Sequence, residues 1–302
     1  MTTQQRDMVD QILRNAPFDL GGDVAVQRPL LEQMLTSQPL PEDVRTTPAD
    51  LGGIPVLFID IAQVKPRGVI FHVHGGGFAL GSAAGSVGLV SSLARKTGMR
   101  AVSVDYRLAP EHPYPAALQD ISAAYRALVE QAGSADQIVV SGESAGGNLA
   151  IELLIAGKAK GLTMPAAAVL LSPMTDLTVT GSSYAGKAQV DPAISAPAIR
   201  TRAADYLAGT DPADPLVSPM FADLSGLPPL LIQAGSHEVL LDDATRLAVK
   251  AAADDVAVIL DITPGVPHVF QGFATLLDEG DAALNRVARF IEDNTAAATI
   301  AK

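Results

Sequence analysis

The chain has 302 residues, with 21 basic and 33 acidic side chains and a formal net charge of −12. It contains no cysteine, which excludes disulfides, thiolate catalysis and cysteine-ligated metal centres. The acidic balance argues against a protein that binds nucleic acid or anionic lipid, because both require clustered lysine and arginine. A hydrophobic content of 48% predicts a globular chain that buries a large core.

The apolar runs of the sequence are short. The run 166–171 is among the longest, and a helix that spans a bilayer needs roughly 20 apolar residues. The first residues show no basic region followed by an apolar one, so we expect no signal peptide. We therefore predict a soluble, cytoplasmic protein without membrane insertion and without a nucleic-acid partner.

Residues 1–40 are predicted to form a separate helical segment. Two apolar stripes at helical spacing lie on either side of Gly21 and Gly22, and Pro39 and Pro41 end the segment.

From Val44 onward, short strand-like runs alternate with helical ones. This alternation predicts an α/β fold with a mostly parallel central sheet and helices on both faces. The predicted strands are Ile54–Ile61, Gly68–Val73, Ala101–Val104, Gln137–Ser141, Ala166–Leu171, Leu230–Gln233 and Val256–Asp261.

The region from Thr175 to Leu227 breaks the alternation. It is rich in Ser, Pro, Ala and Gly, and Asp-Pro pairs begin at Asp191, Asp211 and Asp214. A connection of this length predicts a functional insertion with short helices of its own.

The strongest chemical signal is the segment Gly142-Glu143-Ser144-Ala145-Gly146, which follows a predicted strand and precedes a helical run. Gly-x-Ser-x-Gly between a strand and a helix is the pattern of a nucleophile elbow. The sharp turn strains the serine backbone, and flanking glycines avoid a clash with neighbouring elements. An ordinary glycine-rich turn is the alternative, but the context favours Ser144 as a nucleophile.

The second signal is His74-Gly75-Gly76-Gly77-Phe78, at the end of another predicted strand. Consecutive glycines let the backbone turn several N–H groups toward one point, as an oxyanion hole requires. We expect the N–H groups of Gly76, Gly77 and Ala145 to supply it. A phosphate-binding loop is disfavoured because no Gly-Lys-Ser/Thr follows.

A serine hydroxyl needs a base, and the order of serine, acid and histidine along this fold leaves His237 and His268. His268 is favoured because it follows a predicted strand, and ligand sites of such sheets lie beyond the carboxyl ends of the strands. Glu238 is the favoured acid to orient it. Asp242 and Asp243 compete, although carboxylates in a first helical turn are favoured by the helix dipole alone.

The pair His72-x-His74 admits a metal site, since alternate strand residues share a face. No third ligand follows at a suitable spacing. We therefore expect a structural role for these two histidines and no metal site.

The two glycine motifs resemble those of the hormone-sensitive-lipase family of carboxylesterases, bacterial family IV, on the α/β-hydrolase fold. Three further stretches strengthen the resemblance, which runs from about Val56 to the C-terminus: Asp105-Tyr-Arg-Leu-Ala-Pro-Glu111, Ser172-Pro-Met-Thr-Asp176 and Gly226-Leu-Pro-Pro-Leu230. Two positions depart from the family pattern. Glu143 stands where Asp or Thr is commoner, and Glu238 stands where many members have Asp.

The resemblance implies a helical cap built from residues 1–40 and about 175–215, on a catalytic domain of residues 41–302. It implies hydrolysis of short- to medium-chain acyl esters through an acyl-enzyme on Ser144, with His268 and Glu238, and without a cofactor. It also implies a homodimer through the edge strand Val256–Asp261.

Two other functions remain compatible with these residues. One is a non-catalytic receptor that holds a small molecule on a hydrolase scaffold. The other is an amide or peptide hydrolase, since the same three residues serve both reactions.

Overall fold

The computed structural model describes residues 2–37 and 39–295. Eight strands form one sheet: β1 (Val44–Leu51), β2 (Ile54–Ile61), β3 (Val69–Val73), β4 (Arg100–Val104), β5 (Ile138–Glu143), β6 (Ala167–Leu171), β7 (Leu230–Gly235) and β8 (Val258–Thr263). The helices of the described ranges are α1 (Thr2–Arg14), α2 (Val24–Thr36), α3 (Val87–Thr97), α4 (Ala116–Ala132), α5 (Ala145–Ala159), α6 (Ser183–Gly186), α7 (Ala196–Leu207), α8 (Leu241–Ala253) and α9 (Asp278–Thr295).

The strand order is β1-β2-β4-β3-β5-β6-β7-β8. β1 pairs with β2, and β2 with β4, in antiparallel fashion, whereas every pairing from β4 to β8 is parallel. The prediction of a mostly parallel sheet is confirmed. None of the helices in the described ranges is long and apolar enough to cross a membrane.

The sheet is covered on both faces. Neighbouring residues of β3 enter different cores: Phe71 packs in the cluster that contains α4, α5 and α8, and Ile70 packs in the cluster that contains α3 and α9. Both side chains are fully buried. Burial on two faces explains why the central strands are continuous apolar runs in the sequence.

The observed strands differ from the predicted ones by one additional strand and by shifts of one or two residues at several ends. β1 was not predicted, because its six inner residues are all exposed and therefore carry no apolar alternation. β8 begins two residues later than expected, at Val258. Val256 instead closes the end of α8, where its N–H donates to the Ala251 carbonyl.

The two N-terminal helices contact different parts of the molecule. α1 packs on α9, where Arg6 Nε donates to Glu279 Oε1 at 2.8 Å. α2 carries Arg28, whose Nε donates to the Ala79 carbonyl at 2.8 Å and whose Nη2 donates to the Ala109 carbonyl at 2.9 Å.

The chain between β6 and β7, residues 172–229, contains α6 and α7 and is called the insertion below. Asn148 on α5 holds two points of the insertion, donating to the carbonyls of Met174 at 2.7 Å and Val217 at 3.0 Å. The Tyr206 hydroxyl on α7 donates to Glu152 Oε2 on α5 at 2.9 Å. Buried polar contacts thus fix the insertion on the helix that follows the elbow.

The buried Glu152 predicts a pH-dependent stability. Burial raises the pKa of Glu152 to about 8, from an ordinary value of 4.5. Between these two values the folded chain holds a proton that the unfolded chain has lost, so the free energy of unfolding falls as pH rises through this window. Glu152→Gln removes the titration and keeps an acceptor for Tyr206. We expect the stability of Glu152→Gln relative to the wild type to increase from about pH 5 to about pH 8.

Urea denaturation at a series of pH values measures this difference. Glu130→Gln is the matched control, because Glu130 is exposed on α4. Parallel pH curves for Glu152→Gln and Glu130→Gln would contradict the account.

Candidate active site

Ser144 lies at the sharp turn between β5 and α5, half-buried, with φ 55° and ψ −121°. A non-glycine residue in such a region costs about 1–3 kcal/mol and persists only where its surroundings hold it. The Ser144 N–H donates to the Leu171 carbonyl at 2.9 Å, and its own carbonyl accepts from Gly147 and Met174, each at 3.0 Å. These bonds hold the strained turn.

The glycines that flank Ser144 are required by close packing. A Cβ on Gly142 would overlap the Gly146 carbonyl, and a Cβ on Gly146 would overlap the carbonyls of Val73 and His74. The turn that raises the serine therefore fits only while both positions lack side chains.

Residues 74–78 follow β3 and are called the glycine loop. Val73 is in register with Gly142, so this loop begins beside the elbow. Gly76 has φ 110° and Gly77 has φ 61°, values that favour glycine. Within residues 2–37 and 39–295, the N–H groups of Gly76, Gly77 and Ala145 donate to no other group. Three backbone donors are thus available beside Ser144.

Glu143 ties the elbow to the glycine loop. Its Oε1 accepts from the Gly75 N–H at 2.8 Å, and its Oε2 lies 2.7 Å from Nε2 of the fully buried His72. Burial opposes the charged form, yet His72 and the Gly75 N–H leave the pKa of Glu143 below its ordinary value. The carboxylate therefore braces the loop from beneath the nucleophile.

The same contacts account for the pair His72-x-His74. His72 meets Glu143, whereas the His74 ring stacks on Tyr106 at 4.2 Å and its Nδ1 lies 2.8 Å from the Gly75 carbonyl. The two imidazoles therefore have separate protein partners. No group of three potential metal ligands occurs in the part of the chain that the structure describes.

His268 follows β8, and its Nδ1 lies 2.6 Å from Oε2 of Glu238 in the loop after β7. Glu238 is fully buried, and its Oε1 accepts from the Gly235 N–H at 2.7 Å and the Ser172 hydroxyl at 3.1 Å. Burial lowers the pKa of His268, but the hydrogen bond and charge of Glu238 outweigh it and leave that pKa above 6.5. Glu238 thus orients the ring and makes it more basic.

The competing residues have other partners. Asp242 Oδ2 accepts from the Ser182 hydroxyl at 2.7 Å and the Ser183 N–H at 3.0 Å. Asp243 Oδ2 accepts from the N–H groups of Thr175 and Asp176, at 2.8 and 2.9 Å.

His237 is half-buried, and its N–H donates to the Val266 carbonyl at 3.1 Å. The sequence offers three candidates for the acid, namely Glu238, Asp242 and Asp243. Among the described residues, His268 contacts Glu238.

The parallel sheet brings the motifs together at one edge. Ser144, Ser172, Glu238 and His268 follow the neighbouring strands β5, β6, β7 and β8, whose carboxyl ends share that edge. Ser172 connects the loop of Glu238 with the loop of His268. Its hydroxyl donates to Glu238 Oε1 and accepts from the N–H of Val269, next to His268, with both distances 3.1 Å. Sequence reasoning assigned no role to Ser172, and its position directly after a predicted strand was the available signal.

Comparisons with known proteins find similar hydrolases. A family model described as the alpha/beta hydrolase fold matches residues 70–272. An esterase of Acinetobacter venetianus is 40% identical over 264 residues, which cover 87% of each chain. An acetyl-hydrolase of Streptomyces hygroscopicus is 40% identical over 75% of this chain and 76% of its own.

A solved structure extends the likeness to nearly the whole molecule. The crystal structure of an esterase from the bacterial hormone-sensitive lipase family superposes with a TM-score of 0.93 at 38% identity, covering 97% of this chain and 98% of the other. The chain belongs to the hormone-sensitive-lipase family of α/β-hydrolases.

Proposed function

We propose that the protein is a carboxylesterase that hydrolyses short- to medium-chain acyl esters through an acyl-enzyme on Ser144. The observation that carries the proposal is the strained Ser144 at the sheet edge where Glu238 holds the imidazole of His268 at 2.6 Å. Relatives named as an esterase and an acetyl-hydrolase support the reaction class.

In the acylation step, the Ser144 oxygen attacks the ester carbonyl carbon while His268 Nε2 takes the hydroxyl proton. The tetrahedral intermediate then collapses, the bond to the alcohol oxygen breaks, and His268 returns the proton to the leaving alcohol. In deacylation, water takes the place of the alcohol: His268 accepts its proton, and the carboxylic acid leaves as Ser144 regains a proton.

The backbone around Ser144 favours the intermediate. We propose that the N–H groups of Gly76, Gly77 and Ala145 donate to the oxyanion, since they have no acceptor among the described residues. Fixed donors of this kind need no reorganisation during the reaction, and losing one costs about 10²–10³-fold in kcat. Glu143 keeps them in place through the Gly75 N–H.

We propose that residues 1–40 and about 175–215 form a cap over this edge. Arg28 on α2 binds the carbonyl of Ala79, which directly follows the glycine loop. Tyr206 on α7 stacks on Phe78 of the loop itself, with ring centroids 4.0 Å apart. Both parts thus reach the segment that surrounds the proposed oxyanion site.

A homodimer through β8 is also part of the proposal. β8 forms the edge of the sheet, and Ile259 and Leu260 on it are 52% and 39% exposed. An edge strand with exposed apolar residues can pair with the same strand of a second copy. Size-exclusion chromatography with light scattering tests it, and a monomer at all concentrations would contradict it.

The triad is tested with p-nitrophenyl esters from acetyl to palmitoyl. We expect hydrolysis to peak at short acyl chains. We expect Ser144→Ala and His268→Ala each to lower kcat by about 10⁴-fold or more, and Glu238→Ala to cause a severe loss as well. Asp242→Ala is the matched control and should retain most of the activity, because Asp242 contacts Ser182 and Ser183 instead of His268.

If Asp242→Ala were inactive and Glu238→Ala active, the assignment of Glu238 as the acid would be wrong, and Asp242 would be the acid. Folded wild-type protein without turnover on any ester would contradict the enzyme assignment and favour the receptor. Turnover confined to acyl anilides would favour the amidase.

The pH dependence follows from His268. The base must be neutral to take a proton, and its pKa is raised above 6.5 by Glu238, with burial acting in the opposite direction. We therefore expect kcat/KM to fall as pH falls, with a midpoint above 6.5.

Glu238→Gln removes the charge that raises this pKa, so its residual activity should decline at a lower pH than in the wild type. Initial rates across a buffer series measure both profiles. Superimposable profiles would show that Glu238 does not act on the base.

A further inference from the structure

Two side chains of the insertion hold Val239, in the loop that carries Glu238. The N–H of Val239 donates to Asp191 Oδ2 at 2.8 Å, and the carbonyl of Val239 accepts from the Ser183 hydroxyl at 2.6 Å. Val239 directly follows Glu238 in the chain. Both polar backbone groups of that neighbouring residue are therefore held by side chains of the insertion.

Asp191 is itself fixed in place. It is only 6% exposed, and its Oδ1 accepts from the N–H groups of Ala193 at 2.8 Å and Ile194 at 3.0 Å. Its own N–H donates to the Lys187 carbonyl at 2.9 Å. A buried carboxylate is costly unless its oxygens are satisfied, and here both oxygens accept.

The sequence contains a second Asp-Pro-Ala tripeptide, and it shows which contacts of Asp191 are local to this turn. Asp191-Pro-Ala193 recurs as Asp211-Pro-Ala213, and Asp211 Oδ1 accepts from the Ala213 N–H at 2.9 Å in the same way. Asp211 is exposed, and this is its one side-chain hydrogen bond to the described residues. The Asp-Pro-Ala turn thus does not account for the reach of Asp191 to Val239.

Asp191 also acts on the His268–Glu238 pair through its charge. Burial lowers the pKa of His268, whereas Glu238 in the loop after β7, Asp191 in the insertion and Glu143 in the elbow raise it. Asp191 is therefore one of three carboxylates that face this imidazole, and it is the one supplied by the insertion.

We propose that Asp191 is a positioning residue, which couples the insertion to the catalytic acid by holding Val239 and so fixing the orientation of Glu238 toward His268. This inference rests on the proposed function, in which Glu238 orients the base. The position of the insertion and the orientation of Glu238 are then coupled, because Asp191 belongs to the insertion and Val239 belongs to the loop that carries Glu238.

Asp191→Asn tests the coupling with little change of shape. It removes the charge and leaves a single amide oxygen to accept from N–H donors on two sides. We expect kcat for p-nitrophenyl acetate to fall about tenfold, with KM within about twofold of the wild type, since a lost positioning bond acts on the transition state more than on binding. The acid limb of kcat/KM should move to lower pH, because His268 loses a neighbouring negative charge.

Asp211→Asn is the matched control, and we expect it to change neither kcat nor the pH profile. An NMR titration of the histidine ring signals, with His268 assigned from His268→Gln, reads the coupling without turnover. In Asp191→Asn the pKa of His268 should be lower than in the wild type, and in Asp211→Asn it should be unchanged. An Asp191→Asn protein with wild-type kcat and wild-type His268 pKa would overturn the proposal.

The NMR readout separates this proposal from the proposed function. A lowered pKa of His268 in a chain that hydrolyses no ester supports the electrostatic influence of Asp191 on His268 and rejects the esterase. Should Asp191→Asn fail to fold, Ser183→Ala carries the test, because it releases the Val239 carbonyl without changing any charge. We expect it to lower kcat and leave the pKa of His268 unaltered, and unaltered kcat would overturn the proposal.

Discussion

The hydrogen bond between His268 Nδ1 and Glu238 Oε2 is the contact on which the account of this site depends. It is 2.6 Å long and lies between a fully buried carboxylate and an imidazole whose side chain is 9% exposed. A buried carboxylate is stable only if its oxygens are satisfied. Gly235, Ser172 and His268 satisfy those of Glu238, so the acid loop, the insertion and the histidine loop must fold together.

The nucleophile depends on the opposite kind of constraint, which is steric. Ser144 stays in a strained conformation because its N–H donates to the Leu171 carbonyl and its carbonyl accepts from Gly147 and Met174. Gly142 and Gly146 allow the neighbouring backbone to approach, since a Cβ at either position would overlap it. Glu143 joins this turn to the glycine loop. Gly142, Glu143 and Gly146 thus set the geometry of both the Ser144 hydroxyl and the N–H donors beside it.

The sheet and the roles of the two glycine motifs could be predicted from the sequence because both depend on local pattern. Apolar runs indicate strands that are buried on two faces, and glycine indicates positions where a Cβ cannot fit. It also pointed to His268 and Glu238 by their order along the chain. The roles of Ser172 and Asp191 were not predicted because they are long-range. Ser172 connects two loops, and Asp191 reaches Val239 from an insertion without periodicity. The edge strand β1 was not predicted because its exposed residues carry no apolar alternation.

The most direct test of the central claim is labelling with a fluorophosphonate, which forms a covalent bond only with an activated serine. The account predicts one adduct for each chain, mapped by peptide mass spectrometry to Ser144, with a labelling rate that collapses in Glu238→Ala and persists in Asp242→Ala. An adduct on another residue, or an equal rate in Glu238→Ala and the wild type, would contradict the claim that Glu238 and His268 activate Ser144.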